Sequence, residues 1–531
     1  MKKVVILFLP WMVASSLMAQ ESVQMQMTSG EKVLLPGYAV DTMVSSPQEH
    51  RVQMSYPKSE IAKFSFSPQI EESAVNLDKA DVHQSDNLLR SVSFSLGDNR
   101  SFRYNIVVDA LDKKDLKAVV PSSAELSSAV PSFDASATYI YVNGKRWKEG
   151  DKIDLSKKAD VKLVAFNGDV HSYTLQLLSS KNPLLVIEST GGVSSQSWAK
   201  ESSMKIGTTD LGTMSIKGKG KHFASGLKNN YRIKFESKKS LLDMTKNKRW
   251  ELVSLDGDKS LMRAALAYEF ASSLSGLAWT PSFRKVDLVL DGIFMGPYLL
   301  SEQVRVCKGR LADGFFVSIQ DSYDEGDDFF YASLSQSLFV MKDPETGPKG
   351  AGLIRIQDKV NDFEKLLYAN AGYSSMVDMQ SFVDFYLINE IAKDEDAFAT
   401  DCHLNVREDG VIAMGPVSCM NKSFGFGGAS PEGFVHDRSP WFSTLYKDPS
   451  FNSLLKKRFA EIYAKKGDWL DKIDEWFEEG LLQAATNDGV WNTLDAKSDD
   501  LSDQEDAYRL EVSNMKKWLE KRLEWMKSEL E

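Results

Sequence analysis

The sequence predicts an α+β protein in which an all-β region precedes a larger domain of mixed helices and strands. Before about residue 182, apolar and polar residues alternate with a period of two, in short runs separated by turn residues. After that point, runs with helical spacing and runs with strand spacing follow one another. Because 531 residues are too many for one ordinary core, the sequence also predicts two or three domains.

The composition identifies a globular chain and excludes several classes of protein. Apolar residues make up 42% of the chain and charged residues 26%, as in folded globular domains. The net charge of −11 argues against a general nucleic-acid-binding surface, which needs a strong positive field. Only three cysteines occur and none forms a CxxC pair, so neither a disulfide scaffold nor a zinc site is expected.

The N-terminus, MKKVVILFLPWMVASSLMAQ, has the layout of a secretory signal peptide. Two lysines precede an apolar run, and small residues follow, ending near Ala19. The run is shorter than the roughly 20 apolar residues that span a bilayer, and no later segment is a transmembrane candidate. We therefore expect residues 1–20 to be removed and the mature protein to be exported (periplasmic, cell-surface or secreted). A buried N-terminal helix is the alternative.

The next 160 residues are predicted to be rich in β-structure. Residues 21–95 form an uncertain lead-in that is β-rich or partly ordered. Turn signals at Asn143-Gly144 and Asn167-Gly168 favour hairpins in the region that follows. Strands this short, with turns this frequent, predict an immunoglobulin-like sandwich at 96–182. The alternating runs that predict its strands are 102–108, 138–142, 161–165 and 171–178.

From residue 183 onward, local signals predict both helices and hairpins. Asp258 is a candidate cap for a helix through 261–270, and Asp378 precedes a second helix at 382–393. Asp291-Gly292 is a strong hairpin signal between two apolar runs. Apolar residues three or four apart at 503–530 predict an amphipathic helix.

Several stretches of this second domain carry a family resemblance, which extends over about 183–530. The chain resembles the CotH proteins, atypical protein kinases named after spore coat protein H. The resemblance implies a kinase-like domain with a smaller β-rich lobe, a larger helical lobe and a nucleotide between them. The stretches that carry it are IKGKGK (216–221), YRIKFESKKSLLDM (231–244), KSLMRAALAYE (259–269), the hairpin at 286–303 and FVDFYLINEIAKDEDAF (382–398).

Phosphoryl transfer needs a cation on the phosphates, a metal held by carboxylates and a residue that orients the nucleophile. The resemblance places Lys234 at the phosphates, on the side of its strand opposite Ile233 and Phe235. It places Asp396, in KDEDAF, at the position of a catalytic base or metal ligand. An exposed strand lysine and a solvated acidic loop are the alternatives from the residues alone.

Three further residues are predicted to lie near a nucleotide. Gly218 and Gly220 would let backbone N–H groups approach a phosphate, although such glycine pairs also form simple turns. Arg263 would pair with an acidic residue across the cleft, unless it is a solvated helix arginine. Glu302, near the expected lobe connection, is interpreted as part of a structural ion pair.

The chain departs from the family where a metal ion should be held. The family pattern G-P-V-W-D-F-D-L-A-F-G corresponds here to GPVSCMNKSFG, residues 415–425. Cys419 and Asn421 replace the two aspartates, and Lys422 adds a positive charge. Because Mg²⁺ prefers anionic oxygen ligands, we expect this degenerate site to hold no metal and phosphotransfer to be lost or severely reduced.

Three functions from different classes follow from these observations. The first is a pseudokinase, a binding or scaffold module that needs no cofactor and acts on an unknown exported or surface protein. The second is an active kinase for Ser or Thr of exported proteins, which would need ATP and Mg²⁺. The third is an adhesion protein that uses its N-terminal sandwich. The missing carboxylates favour the first over the second.

The cysteines Cys402 and Cys419 flank an apparent hairpin with Glu408-Asp409-Gly410 at its turn. A two-residue turn would pair residue 402 with 417, which leaves Cys419 two positions out of register for an unstrained bridge. A β-bulge could correct the offset. The sequence leaves open whether Cys402 and Cys419 are free thiols or form a disulfide.

Overall fold

The computed structural model describes residues 87–165, 168–220, 223–224, 227–343, 351–394, 396–417, 420–498 and 501–531. The predicted signal peptide and most of the predicted lead-in lie outside these residues, as does Cys419. The chain forms two compact units, residues 1–177 and 178–531. None of the helices in the described ranges is long and apolar enough to cross a membrane.

From residue 87 onward, the first unit is built from two sheets, with strand orders β4-β1-β2 and β6-β5-β7-β8-β3. Their apolar faces supply a buried core that includes Leu89, Phe94, Leu163 and Leu175. The first strand lies inside the predicted lead-in. The strands are β1 (Leu88–Phe94), β2 (Ile106–Asp109), β3 (Asp115–Pro121), β4 (Ser132–Ser136), β5 (Tyr139–Val142), β6 (Lys145–Arg146), β7 (Ala159–Val164) and β8 (Val170–Ser180).

In this unit the predicted turn at Asn143-Gly144 is confirmed, Asn167 of the second predicted turn lies outside the described residues, and one strand prediction is partly wrong. Asn143 and Gly144 both have positive φ, 51° and 75°, as the predicted two-residue hairpin requires. The strand predicted at 102–108 begins only at Ile106. Before it, Phe102 ends a 3₁₀ turn and Arg103 has a φ of 72°. Phe102 and Tyr104 are both buried, as the alternating pattern predicts, and the Tyr104 hydroxyl donates to the Val119 carbonyl. These two residues nevertheless belong to an irregular segment and not to a strand.

The second unit begins with seven strands that close into a barrel, in the order β9-β10-β11-β12-β13-β15-β14. Parallel pairing of the first strand with the sixth, in which Leu184 lies opposite Asp287, closes it. The interior is apolar and includes Ile216, Ile233, Phe235 and Trp250. The strands are β9 (Leu184–Glu188), β10 (Ala199–Ile206), β11 (Thr209–Lys219), β12 (Asn230–Lys239), β13 (Asn247–Val253), β14 (Phe283–Leu290) and β15 (Ile293–Glu302).

A second sheet and, within the described residues, seven α-helices complete this unit, and the predicted α+β class is therefore confirmed. The sheet order is β17-β18-β16-β19-β20. Its strands are β16 (Phe315–Gln320), β17 (Phe329–Tyr331), β18 (Leu338–Asp343), β19 (Cys402–Val406) and β20 (Ile412–Met414). The helices are α1 (Arg263–Ser272), α2 (Ala351–Tyr368), α3 (Met379–Ala392), α4 (Pro440–Leu445), α5 (Pro449–Tyr463), α6 (Lys466–Trp491) and α7 (Leu501–Leu530).

Most of the helix and hairpin signals of this unit are confirmed. Asp378 is the N-cap of α3 and accepts a hydrogen bond from the Ser381 N–H at 3.2 Å. The apolar stripe predicted at 503–530 is the buried face of α7. Asp258 is not the N-cap residue, because α1 begins only at Arg263. Its carboxylate nevertheless accepts a hydrogen bond from the Arg263 N–H at 2.9 Å. It therefore satisfies one of the backbone N–H groups at the start of α1 that have no partner within the helix.

The β19–β20 hairpin corrects the predicted register around the cysteines. Leu404 lies opposite Met414, so the connection is a three-residue loop rather than a two-residue turn. Gly410 has a φ of 86°, which suits the last position of such a loop. Cys402 is a free, buried thiol, and burial raises its pKa to about 12.

Gly480 in α6 allows the helix to pack closely on α7. A Cβ atom added at this position would lie 1.9 Å from the hydroxyl oxygen of the buried Tyr508. We expect Gly480→Ala to lower the free energy of unfolding by about 1–3 kcal/mol, because overpacking outweighs the gain in helix propensity. Urea denaturation would measure the change.

Gly489→Ala in the same helix is the matched control. An added Cβ there meets no atom within 4 Å. This variant is expected to stabilise α6 by about 0.5–1 kcal/mol, since only the backbone propensity changes. Equal effects of the two substitutions would contradict close packing of α6 on α7.

Candidate functional site

The outer surface of the barrel carries a concentration of positive charge, which we call the basic face. Pairing places Lys217 opposite Arg232, and Arg232 opposite Glu251. Lys234 lies opposite Arg249 on the same surface. Residues directly opposite each other share one side of a sheet, whereas their neighbours point into the barrel. The basic face is formed by Lys217, Lys219, Arg232, Lys234 and Arg249, with Glu251 among them.

Glu251 organises part of the basic face through ion pairs. Its carboxylate lies 2.6 Å from Lys219 Nζ and 3.7 Å from Arg232 Nε. Burial opposes ionisation, but these two cations outweigh it and hold the pKa of Glu251 below its ordinary value. The ammonium of Lys234 makes no hydrogen bond or ion pair with a described residue. An anion arriving at this surface would therefore meet a prearranged set of cations.

The second sheet lies across from the basic face and supplies Lys342, Asp401 and His403. Glu251 interacts electrostatically with His403, and Lys219 does so with Asp401. The side chain of Gln320 donates to Asp401 at 2.6 Å. Burial alone would raise the pKa of Asp401, but these neighbours keep it below its ordinary value. Three elements of the barrel and two strands of the second sheet thus converge on one cleft.

His403 is a buried side chain of β19 that lies next to Asp401. Its Nδ1 lies 3.1 Å from the Pro416 carbonyl, which can only accept a hydrogen bond. Its Nε2 lies 3.9 Å from the carboxylate of Asp401. Burial lowers the pKa of the imidazole, and Asp401 only partly opposes this effect.

The glycine-rich turn follows the end of β11. Gly218 is extended, and its N–H donates to the Ser194 carbonyl at 2.8 Å, so this donor is used within the barrel. An added Cβ at Gly218 would collide with the ring of Phe223. Gly220 has a φ of 98°, a conformation that favours glycine. The nucleotide contacts expected of both glycines stay predictions.

The acidic loop after α3 brings Asp394 and Asp396 together. Asp394 is buried, and its two carboxylate oxygens accept from the N–H groups of Asp396 (3.0 Å) and Lys422 (2.9 Å). Burial raises the pKa of Asp394 to about 6, and the charge of Asp396 adds to this effect. Asp396 itself is exposed and lines a cavity of about 40 Å³, together with Asp394 and Asp401.

The donors around this loop do not fit a tightly held Mg²⁺ ion. Asp394 already uses both oxygens for backbone N–H groups, so Asp396 is the one exposed carboxylate of the pair. Asn421 offers a neutral amide, whose oxygen is buried without a hydrogen-bond partner. Mg²⁺ favours hard anionic oxygens in octahedral geometry. Among the described side chains, no cluster of three or more His, Cys, Asp or Glu residues is arranged to hold a metal.

Arg263 is tied into the interior of the unit. Its Nη1 donates to Asp258, its Nη2 to Glu511 at 2.6 Å, and its Nε to the Ser423 carbonyl at 2.9 Å. Burial disfavours the charged guanidinium, but the two carboxylates more than offset this and raise its pKa. Arg263, the first residue of α1, is thus joined to the turn that precedes this helix, to α7 and to the segment that follows Asn421. Its predicted role in nucleotide binding stays a prediction.

Glu302 ends β15 as a buried carboxylate, as the ion-pair interpretation predicts. Its Oε1 lies 3.7 Å from Arg310 Nε, and its Oε2 accepts from the Ser282 N–H at 3.1 Å. Burial raises the pKa of Glu302 despite these contacts. The pair lies where the barrel continues into the second sheet.

Lys228, just after the glycine-rich turn, connects the barrel with α6. Its buried ammonium donates to the Pro297 carbonyl at 2.9 Å and to the side chain of Asn487. Burial lowers the pKa of Lys228 from 10.5 to about 7. Because the folded-state pKa is the lower one, the unfolded chain binds more protons between about pH 7 and pH 10.5, and stability rises with pH across that window.

We therefore expect wild type to gain stability relative to Lys228→Met as the pH rises from 7.5 to 9.5, by about 1 kcal/mol per pH unit. Below pH 7 the difference between the two proteins should be constant. Urea denaturation at several pH values measures it. If the free energies of unfolding of the two proteins changed with pH in parallel above pH 7.5, Lys228 would have an ordinary pKa in the folded protein.

The sequence analysis singled out Lys234 and Asp396, whose roles stay predictions, but it did not single out most of the charged residues around them. Lys219, Arg232 and Glu251 carried a usable signal, because charges occupy every second position of three strands that pair in sequence. Asp401 and His403 carried no such signal in the sequence, because only the packing of the second sheet against the barrel brings them close to the basic face.

Comparison with known families agrees with this geometry. No curated relative matches the chain. A family model described as CotH kinase protein matches residues 216–526, which is more than half of the chain and contains the basic face and the acidic loop. The chain therefore belongs to the CotH kinase family.

Proposed function

We propose that the chain is a pseudokinase of the CotH family, a binding or scaffold module whose cleft accepts an anionic ligand without transferring phosphate. In this proposal, the barrel acts as the smaller lobe of a kinase-like domain. The second sheet and its helices act as the larger lobe, and the basic face and the Asp396–Asp401 loop border the ligand.

One observation carries the proposal, namely the donor set beside Asp396. Asn421 replaces a carboxylate by an amide, and Asp394 spends both oxygens on backbone N–H groups. Metal ions contribute the dominant stabilisation of charge in phosphoryl transfer. A cleft that retains cations for the phosphates but lacks ligands for Mg²⁺ is suited to binding rather than catalysis.

The basic face supports binding of phosphate groups without metal. Lys219 and Arg232 are oriented by Glu251, and Lys234 remains available to a ligand. Hydrogen bonds between a charged donor and a phosphate are stronger than neutral ones. The nucleotide phosphates therefore fit the residues present, and their charge would be balanced by side chains.

An active kinase is the second candidate, and the exposure of Asp396 favours it. This carboxylate lines a cavity beside the cleft, where it could accept a proton from a hydroxyl group. The same position suits a residue that only orients a partner. The two candidates differ in whether ATP binding depends on Mg²⁺.

Thermal denaturation of the full chain with ATP tests the proposal. We expect ATP to raise the melting temperature equally in EDTA and in Mg²⁺, and labelled ATP to transfer no phosphate to the chain or to casein. The double variant Cys419→Asp/Asn421→Asp should make stabilisation by ATP dependent on Mg²⁺. Phosphate transfer by wild type that Asp396→Ala abolishes would establish the active kinase instead.

We also propose that the protein is exported, which rests on the lysines, apolar run and small residues of its first twenty positions. An exported location suits the pseudokinase, because ATP is scarce outside the cytoplasm. Mass spectrometry of the mature protein should find a new N-terminus near Ala19. An intact N-terminus with the protein retained inside the cell would argue against export.

A further inference from the structure

A second cavity, of about 260 Å³, lies at one end of the second sheet. The end of β16, the end of β17, the start of β18 and the residues before α4 surround it. Phe398 lines both this cavity and the smaller one beside Asp396. The two cavities therefore share a wall, but they differ in size and in lining. The volume of the larger cavity approaches that of sites that bind small molecules.

The lining of this larger cavity is polar and carries balanced charge. It contains one carboxylate and one guanidinium, so it offers no net attraction to an ion of either sign. Its hydroxyl groups can both donate and accept hydrogen bonds, and its amide oxygens can accept them. These features favour a neutral ligand rich in hydroxyl groups. The polar residues that define the lining are Gln320, Asp321, Tyr331, Gln336, Ser337 and Arg438.

The two amides of the cavity are held in fixed planes. Gln320 Nε2 donates to Asp401 and to the hydroxyl of Ser318, both at 2.6 Å. Gln336 Nε2 donates to the Ser333 carbonyl at 2.9 Å. Because their nitrogen atoms are engaged within the protein, the carbonyl oxygens are the groups left to accept from a ligand. Prearranged polar groups lower the entropy cost of binding.

Exposed aromatic rings lead away from the cavity along the edge of the sheet. Tyr331 lines the cavity and is 49% exposed. Its ring contacts Phe329 edge to face at 6.1 Å, and Phe329 stacks on the 47% exposed Tyr323 at 3.7 Å. A contiguous exposed aromatic surface next to a polar cavity marks an interaction site. The flat C–H face of a sugar ring matches such a surface, whereas its hydroxyl groups match the polar lining.

A polypeptide is a poorer match for the same features. Strand addition would need the free backbone of the edge strand β17, but the Tyr331 carbonyl already accepts from the side chain of Gln357 on α2. Protein partners usually anchor an apolar side chain in a dry pocket. The lining includes apolar side chains such as Phe398, Pro440 and Trp441, but most of the surface that it exposes to the cavity is polar, which favours a ligand rich in hydroxyl groups over an apolar anchor.

We propose that this cavity binds a saccharide. Tyr331 stacks on the apolar face of a sugar ring, and Gln320, Asp321 and Arg438 form hydrogen bonds with its hydroxyl groups. The row formed by Phe329 and Tyr323 extends the contact to further sugar units. The site contains no residue of the basic face and needs no phosphate ligand, although it shares Phe398 with the cavity beside Asp396.

Calorimetric titration of the full chain with cellohexaose, maltohexaose, mannohexaose and chitohexaose tests this proposal. We expect at least one of the four to bind, and Tyr331→Ala to weaken that binding by about tenfold or more. Tyr368→Ala, which removes an exposed ring at the end of α2, should leave the affinity unchanged. Lys234→Glu should also leave it unchanged, which separates this site from the proposed phosphate cleft.

Absence of binding by all four oligosaccharides would overturn the proposal. So would an affinity that survives both Tyr331→Ala and Arg438→Ala in protein whose melting temperature is unchanged. Denatured casein serves as the polypeptide probe. If casein binds, none of the sugars does, and Tyr331→Ala abolishes the binding, the occupant is a polypeptide segment and the saccharide assignment is wrong.

Discussion

Replacing Arg263 by leucine is expected to lower the free energy of unfolding by about 3–5 kcal/mol. The guanidinium is buried between Asp258 and Glu511, so its removal leaves a buried carboxylate without its counter-charge. The Ser423 carbonyl loses a donor as well. Urea denaturation followed by far-UV circular dichroism measures the change.

Arg284→Leu is the matched control for this prediction. Arg284 is exposed on β14, and its Nη1 donates only to the carbonyl of the neighbouring Phe283. We expect this variant to change the stability by less than about 0.5 kcal/mol. A stable Arg263→Leu protein that no longer binds ATP would instead support the nucleotide contact that the family resemblance implies for Arg263.

Reversing two charges on the basic face should weaken binding of ATP in EDTA by about 100-fold or more. The double variant Arg232→Glu/Lys234→Glu replaces two charge-assisted hydrogen bonds, each worth about 1.5–3 kcal/mol, by repulsion. Among the described residues, Lys234 forms no hydrogen bond or ion pair, so its replacement removes no ion pair, whereas replacing Arg232 removes its pair with Glu251. Calorimetric titration measures the affinity, and its salt dependence should flatten as well.

The double variant Lys200→Glu/Lys205→Glu controls for the change in net charge. Both lysines are exposed on β10, and neither is paired with a residue of the basic face. We expect this protein to bind ATP within about twofold of wild type, because screening weakens distant exposed charges. If both double variants lost affinity equally, the total charge rather than the basic face would attract the nucleotide.

The sequence predicted those elements whose signals are local. The helices α3 and α7 follow from a cap and an apolar stripe, and the β14–β15 hairpin from Asp291-Gly292. Closure of the barrel could not be predicted in this way. The parallel pair of Leu184 with Asp287 joins strands about one hundred residues apart, and neither strand contains a sign of its partner.

The residues of the candidate site differ in the same way, because some have a local signal in the sequence and others are placed by contacts with distant segments. Lys234 and Asp396 were predicted because each belongs to a stretch that resembles the family. Asp394 was not singled out, because an acidic residue in an acidic loop has no distinguishing pattern. Its burial and its raised pKa of about 6 depend on the Lys422 segment, which folds back on the loop from 28 positions later.

Parallel closure of the barrel has a consequence for biogenesis. As the chain emerges from the ribosome or a translocation pore, β9 is complete long before β14 exists, and the intervening strands expose two unpaired borders until Phe283–Leu290 arrives. Unpaired borders of this kind recruit other nascent chains. Fragments that stop between Val253 and Phe283 are therefore expected to self-associate, and holdase chaperones should engage the growing polypeptide most strongly over that interval.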